Sequence, residues 1–290
     1  MTTVVLIFPH QLFTDHPCTE KGRVVYLIEE WLFFRQYPFH KQKLLLHRAS
    51  MKKYAHYLSQ RDVAVNYIDS QNDLSDVRKL INHLAQQNIT GILFADVADN
   101  WLKTRIENTC NKHCIKIVEA PSPNFLNTLD DVKAFFDTKK SYFQTAFYIE
   151  QRKQRGILLD AEGQPLGGQW TFDADNRSKY PKNEKPPLVT VAKEDGYLRE
   201  ARAYVAKHFP NNSGSAEELI YPTDHAGASS WLDEFLKTRF EKFGIYEDAI
   251  VANEHYLHHS VLTPMFNIGL LSPQQIIDKA LQVADNKNIP

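Results

Sequence analysis

The chain has 290 residues, 43% hydrophobic and 24% charged, a soluble globular balance with length for two domains of ordinary size. A formal net charge of −1, from 34 basic and 35 acidic residues, excludes a globally basic nucleic-acid binder and leaves only a local patch for that role. Three cysteines exclude a disulfide framework, and no apolar run approaches the ~18 residues of a membrane span, so a cytoplasmic protein is expected.

The run Thr3–Phe8, rich in β-branched residues and ended by Pro9, predicts a strand buried on both faces. Val24–Ile28, Val63–Ile68, Gly91–Phe94 and Cys114–Val118 predict four more. Helical spacing falls between them, over Phe39–Leu58, Leu74–Gln87 and Trp101–Cys110. In the first of these helices Leu44, Leu45, Ala49, Met51, Tyr54, Ala55 and Leu58 form the apolar stripe, and Lys41, Lys43, Arg48, Lys52 and Lys53 fall mostly on the other face. Alternating strands and helices predict an α/β domain over residues 1–122, built on a doubly wound parallel sheet.

Ligands of such sheets bind beyond the carboxyl ends of the strands, which points to Pro9-His10-Gln11 and Glu29-Glu30-Trp31. The aromatic cluster of Trp31, Phe33, Phe34, Tyr37 and Phe39 beside this rim fits core packing or a slot for a flat chromophore. Neither G-x-G-x-x-G nor a P-loop pattern is present, so neither a dinucleotide nor a P-loop site is supported. Cys110 and Cys114 with His113 lack the second pair of a metal site and read as two buried thiols, and no metal ligand is assigned.

Pro121-Ser122-Pro123 closes the first domain, and residues 123–195 read as a helical and loop connector. It carries helices at Asp130–Asp137 and Tyr142–Arg155, the second ending in a solvated basic tip, Arg152-Lys153-Gln154-Arg155, stopped by Gly156. Glycines and prolines dominate residues 160–190, yet Gly168 to Arg177 reads as a loop anchored by Trp170 and Phe172. Residues 196–290 read as the beginning of an all-α domain, with helices at Tyr197–His208, Gly227–Phe243, Tyr246–Ala252 and Gln274–Val283. Between the last two, Leu257–Pro273 gathers imidazoles and hydroxyls beside Pro264, then a new helix start with Ser272 as cap and Pro273 at the first position. Such a segment is either a plain loop between core helices or a site for phosphate oxygens.

Several motifs in order resemble the bacterial deoxyribodipyrimidine photolyase-related proteins, the iron–sulfur branch of the photolyase/cryptochrome superfamily. They are Pro9-His10-Gln11-Leu12, His40-Lys41-Gln42-Lys43 with Ala49-Ser50-Met51, Trp170-Thr171-Phe172-Asp173 through Asn176-Arg177, Phe243 through Ala249, and His259-Ser260 to Leu270-Leu271. The resemblance implies an antenna-type domain followed by the FAD-binding helical domain, with His259, Ser260, Leu262 and Thr263 beside the flavin diphosphate and Tyr246 touching the cofactor. His259 stands where the family pattern usually has Thr, and imidazole still donates to phosphate. An antenna chromophore, a ribityl lumazine in this branch, is expected to meet Pro9, His10, Gln11, Glu29 and Trp31, although family members often carry Gly-Asp where this chain has Pro9-His10.

The implied activity is light-driven repair of a UV pyrimidine lesion in DNA, of the (6-4) type, by an electron from reduced FAD, the lesion being flipped into the flavin pocket of a monomeric enzyme. The alternative is a blue-light photoreceptor or chromophore-binding module without repair. Family members run well past the position of Pro290, which implies that this chain is the N-terminal portion of such a protein and on its own inactive, binding FAD weakly or not at all. Asn286 to Pro290 reads as mid-loop, and the [4Fe–4S] cluster is expected on four cysteines beyond it, because Cys18, Cys110 and Cys114 do not fit the cluster positions.

Overall fold

A computed structural model describes residues 2–287 and residue 289. Five parallel strands, β1 (Thr3–Ile7), β2 (Val24–Ile28), β3 (Ala64–Ile68), β4 (Gly91–Ala95) and β5 (Lys116–Ala120), form one sheet in the order β3-β2-β1-β4-β5. The register pairs Val5 with Val25 on one side of β1 and with Leu93 on the other. This is the doubly wound α/β sheet expected from the alternation of strands and helices.

The apolar runs form strands because each must bury both faces. Val4, Leu6 and Phe8 pack with Ile92, Phe94 and the stripe Val77, Leu80, Ile81 and Leu84 of α3 (Val77–Gln86), and with Leu102 and Ile106 of α4 (Asn100–Lys112). Val5, Ile7, Val25 and Leu27 are equally buried on the opposite face. α1 (Trp31–Phe34) is a single turn after β2, and α2 (Lys41–Ser59) lies against β3 and α7 (Gly196–His208). Side-chain caps set the starts: Asp76, Asp99 and Asp195 accept from Arg78, Leu102 and Leu198 backbone N–H groups.

The chain folds into two compact units. The first joins Met1–Asn124 with Thr190–Leu232 and Leu262–Ile276, and the second joins Phe125–Val189, Asp233–Val261 and Ile277–Pro290. The second contains α5 (Leu129–Phe136), started by a capping box between Thr128 and Asp131, and α6 (Gln144–Arg155), which ends on Gly156 at φ 63°. The remaining helices are α8 (His225–Thr238), α9 (Phe240–Phe243), α10 (Thr263–Asn267) and α11 (Pro273–Lys287).

Several expectations need correction. Arg48 is among the most buried residues of α2, because three carboxylates draw it inward from the face that pattern alone calls polar. Cys114 is exposed, and at φ 54° it sits in the left-handed turn that ends α4. The basic tip of α6 is not merely solvated: Arg152 is buried and donates to the Ile157, Leu158 and Trp170 carbonyls, while Arg155 donates to Leu126 O. Tyr246–Ala252 is no helix, and only the 3₁₀ turn Gly244–Tyr246 forms there. The helix predicted at Gly227–Phe243 is broken between Thr238 and Phe240. α11 continues to Lys287, so Asn286 and Lys287 are helical rather than mid-loop, whereas Asn288 and Pro290 lie outside the described residues. Among the described residues, no helix is long and apolar enough to cross a membrane.

Candidate functional sites

The strand order reverses between β1 and β4, and in doubly wound sheets ligands bind beyond the carboxyl ends of the strands at that point. Gln11 is fully buried there and staples the two ends together. Its amide N donates to Ala95 O at 2.8 Å and to Asp96 O at 3.3 Å, and its carbonyl accepts from Phe8 N. His10 Nε2 bonds to Val97 O at 2.8 Å, and its ring centroid lies 4.9 Å from that of Phe33. The carbonyl of His10 accepts from Asn124 Nδ2.

Burial lowers the His10 pKa to about 4 against smaller opposing effects of Val97, Asp99 and Asp96, so the ring is neutral at pH 7 and donates from Nε2. His47, from α2, comes to the same aromatic group at 5.9 Å from Phe34, and burial takes its pKa to about 3. In the first unit His10 Nδ1, His47 Nδ1, Arg105 Nη1 and Asn124 Oδ1 are buried without a hydrogen-bond partner. Buried polar atoms of this kind are rare and mark a place for a bound group or water.

Glu29 and Trp31 have other partners. Glu29, fully buried at the end of β2, receives Arg48 Nη1 at 2.9 Å, the Ser70 N–H at 2.8 Å and the Tyr67 hydroxyl. Burial pushes its carboxyl up, and Arg48, Tyr67 and Ser70 pull the other way. Arg48 also holds Asp69 and Glu200, with the Tyr204 ring 3.2 Å from its guanidinium carbon. Trp31 lies under the Arg105 guanidinium at 5.6 Å. Glu30 caps α1 through Leu32 N, and burial raises its pKa to about 7. Sequence reasoning missed His47, Arg48, Arg105 and Asn124; the only signal for the first two was a His-Arg pair interrupting the run of apolar residues in α2.

In the second unit, two of the motifs meet. Ser178 N donates to Ile245 O, Asp248 N to Asn176 O, Asn176 Nδ2 to Glu247 and Arg177 to Asp248. These cross-bonds tie the 3₁₀ turn and the residues after it to the Asn176–Ser178 loop. Tyr246 is buried against Tyr180, at 4.9 Å, and His258, at 5.7 Å. His258 Nε2 bonds to the Tyr180 hydroxyl, and burial lowers its pKa. The His259 carbonyl accepts from Arg239 Nε at 3.1 Å and its N–H donates to Tyr256 O at 2.8 Å. Ser260 follows, half-buried, in the irregular stretch that ends where α10 opens.

Leu262 and Thr263 belong to the first unit. Leu262 is buried and its carbonyl accepts from Phe266 N, while Thr263 opens α10 with an exposed side chain ahead of Pro264. Val261 has φ 53°, a costly conformation for a β-branched residue, of order 1–3 kcal/mol. Strain of this kind collects at functional sites. Downstream, Ser272 caps α11, as the sequence predicts, and Gln275 caps it in return: Gln275 N donates to Ser272 Oγ, and Ser272 N to the Gln275 side chain.

Gly269, at φ 85°, closes this segment onto the end of β1, where Leu12 N donates to Ile268 O at 3.0 Å. A Cβ there would stand 2.8 Å from the Phe13 ring and 2.9 Å from Leu12 N. Gly269→Ala is therefore expected to destabilise the first unit by about 1–3 kcal/mol, read as a lower urea midpoint. An unchanged midpoint would show that the segment yields freely.

A cavity of about 750 Å³ opens between α2 and α7, lined by Lys52, Lys53, His56, Tyr57, Tyr197 and Asp224 among others. None of the residues predicted for a site lines it, and Lys53 is clamped by Asp195 and Asp224 at 2.6 Å each. Among the described residues no group of three or more His, Cys, Asp or Glu could hold a metal ion.

Comparison with known proteins places this architecture. The family model for deoxyribodipyrimidine photo-lyase-related protein matches residues 5–221, from β1 past α7 and short of the Leu257–Pro273 stretch. The chain is 26% identical over 247 residues to the (6-4) photolyase of Agrobacterium fabrum, covering 83% of this chain and 48% of that protein, about half its length. An uncharacterized protein of Acanthamoeba polyphaga mimivirus is 32% identical over 192 residues, 62% of this chain and 96% of that protein. With a match across three quarters of its length, the chain belongs to the deoxyribodipyrimidine photo-lyase-related protein family.

Proposed function

We propose that this chain serves a light-dependent, photolyase-type DNA repair reaction on UV pyrimidine lesions of the (6-4) type. The family match over residues 5–221, with the similarity to a (6-4) photolyase, carries this reading. In it, residues 1–122 are the antenna-type domain, 123–195 the connector and 196–290 the start of the flavin-binding helical region.

Two features of the chain fit the cofactors this implies. The buried unpartnered nitrogens of His10 and His47 suit the polar edge of an antenna heterocycle among Pro9, His10, Gln11 and Trp31. Glu29 contributes indirectly, by fixing Arg48 and the end of β2. The strained backbone at Val261, between Ser260 and Leu262, and the exposed Thr263 hydroxyl suit contact with flavin phosphates, with His259 on the same segment and Tyr246 on the preceding turn. When bound, reduced FAD supplies the light-excited electron. The residues of the chain bind and orient: Ser260, Thr263 and His259 as hydrogen-bond donors, and Leu262 and Tyr246 as apolar walls.

The test is titration of the purified chain with FAD, followed by flavin fluorescence anisotropy. Weak, saturable binding is expected, reduced about ten- to a hundredfold by Thr263→Val through loss of one hydrogen bond to a charged group, about 1.5–3 kcal/mol. FAD binding that Thr263→Val leaves unchanged overturns the flavin role of this segment. A bound lumazine without flavin would instead favour a chromophore-binding module without repair.

A further inference from the structure

We propose that the tip joining α5 to α6, residues 137–144, is a docking surface for a single nucleic-acid strand. Tyr142 and Phe143 act as stacking platforms, and Lys139 and Lys140 meet phosphates. The partner class rests on the DNA-repair reading above; the surface itself rests on the following geometry.

All eight residues of the tip are exposed, Tyr142 at 83% and Phe143 at 67%. Two adjacent aromatics held in water at that level need a partner to explain them. They do not hang loose. The Tyr142 ring stands 5.4 Å from Phe136, which packs on Phe147 at 5.1 Å and on Phe135 at 4.9 Å, so a stack of rings backs it. α5 itself buries no residue, which leaves this aromatic group as a shelf rather than part of a core.

Charge selects the partner. The tip carries Lys139 and Lys140 against the single acid Asp137, and α6 has no charged residue before Glu150. Lys139 Nζ already lies 5.0 Å from the Phe135 ring. Aromatic faces interleaved with lysines are what a strand with unstacked bases requires, since every base offers a face for stacking and every linkage a phosphate.

The experiment titrates a fluorescein-labelled oligothymidylate with the full 290-residue chain, at several salt concentrations, by fluorescence anisotropy. The chain is expected to bind, and Tyr142→Ala with Phe143→Ala to weaken binding about tenfold or more, from ~1–3 kcal/mol per stacked base. Lys139→Gln with Lys140→Gln is expected to flatten the salt dependence by about 0.7 in log–log slope for each phosphate that is no longer neutralised. Ile250→Ala, at an apolar residue 95% exposed outside the tip, is expected to change nothing. Binding that survives both tip variants overturns the surface and leaves the DNA reading intact. No binding by the unaltered chain counts against the DNA reading itself. Self-association that the aromatic variant abolishes, without DNA binding, overturns the proposal in favour of an interface between copies. Because every altered side chain is exposed, a thermal melt unchanged by the substitutions separates these outcomes from misfolding.

Discussion

Between pH 7.5 and pH 5 the first unit is expected to lose a large part of its stability, because three histidines are buried in the neutral form. Burial lowers His10 to about 4, His16 to about 3 and His47 to about 3, from an ordinary 6.5. Below pH 6.5 the unfolded chain takes up protons that the folded chain refuses, so stability falls as pH falls, down to the folded pKa values. At pH 5 each histidine costs about 2 kcal/mol, and the three together about 6. His225, also lowered by burial, acts in the same sense. Glu30 acts oppositely: with its pKa raised to about 7, the folded state binds the extra proton and gains about 2 kcal/mol on acidification. The net loss from these four groups is about 4 kcal/mol, large against the ~5–15 kcal/mol of an ordinary domain. Urea unfolding at the two pH values measures it, and His47→Gln should flatten the difference by about 2 kcal/mol. Equal stability of the unaltered chain at both values would show that these rings are hydrated or reoriented in solution.

The second large effect concerns Arg48. Its ion pairs divide by exposure: with Glu29 the pair is 4% and 0% exposed, whereas Asp69 and Glu200 are 36% and 47% exposed. The outer two are worth about 0–1 kcal/mol each, screened by water. The inner one matters through its loss, because Arg48→Met leaves the buried Glu29 carboxyl bonded to Tyr67 and Ser70 but to no cation. The expected cost is about 3–5 kcal/mol. Arg48→Lys should not rescue it fully, since the fork that serves Glu29, Asp69 and Glu200 together, and the stack on Tyr204, are both lost. Adding Glu29→Gln to Arg48→Met is expected to recover part of the loss, because the buried charge is then gone. A double-mutant cycle in urea tests this, and additive losses would show that Glu29 is not what Arg48 supports.

How far the sequence reached can be seen in particular residues. Thr3–Phe8 and Val24–Ile28 announced buried parallel strands because burial on both faces demands continuous apolar runs, and both strands formed within one residue of the expected ends. Ser272-Pro273 announced a helix start because capping chemistry is local, and the reciprocal bonds to Gln275 are there. The placement of Gln11 and Glu29 after the carboxyl ends of β1 and β2 was legible from the alternation alone. Their partners were not. Glu29 and Arg48 are 19 residues apart, and Arg48 and Glu200 are 152 apart, separations that no periodicity encodes.

The helix expected at Tyr246–Ala252 shows the same limit from the other side. Its local pattern was permissive, but the segment forms only a 3₁₀ turn, bonded to Asn176 and Ser178 from a distant part of the chain. The basic tip of α6 likewise looked solvated until Arg152 was seen to close the loop that returns at Trp170. The amino-acid sequence by itself thus determined the strands, most helices, their caps and the α/β class, all of which follow from interactions within a few residues. Only the tertiary structure decided which polar groups went inside, since desolvating Arg48, His10 or His47 depends on partners and packing brought from distant parts of the chain.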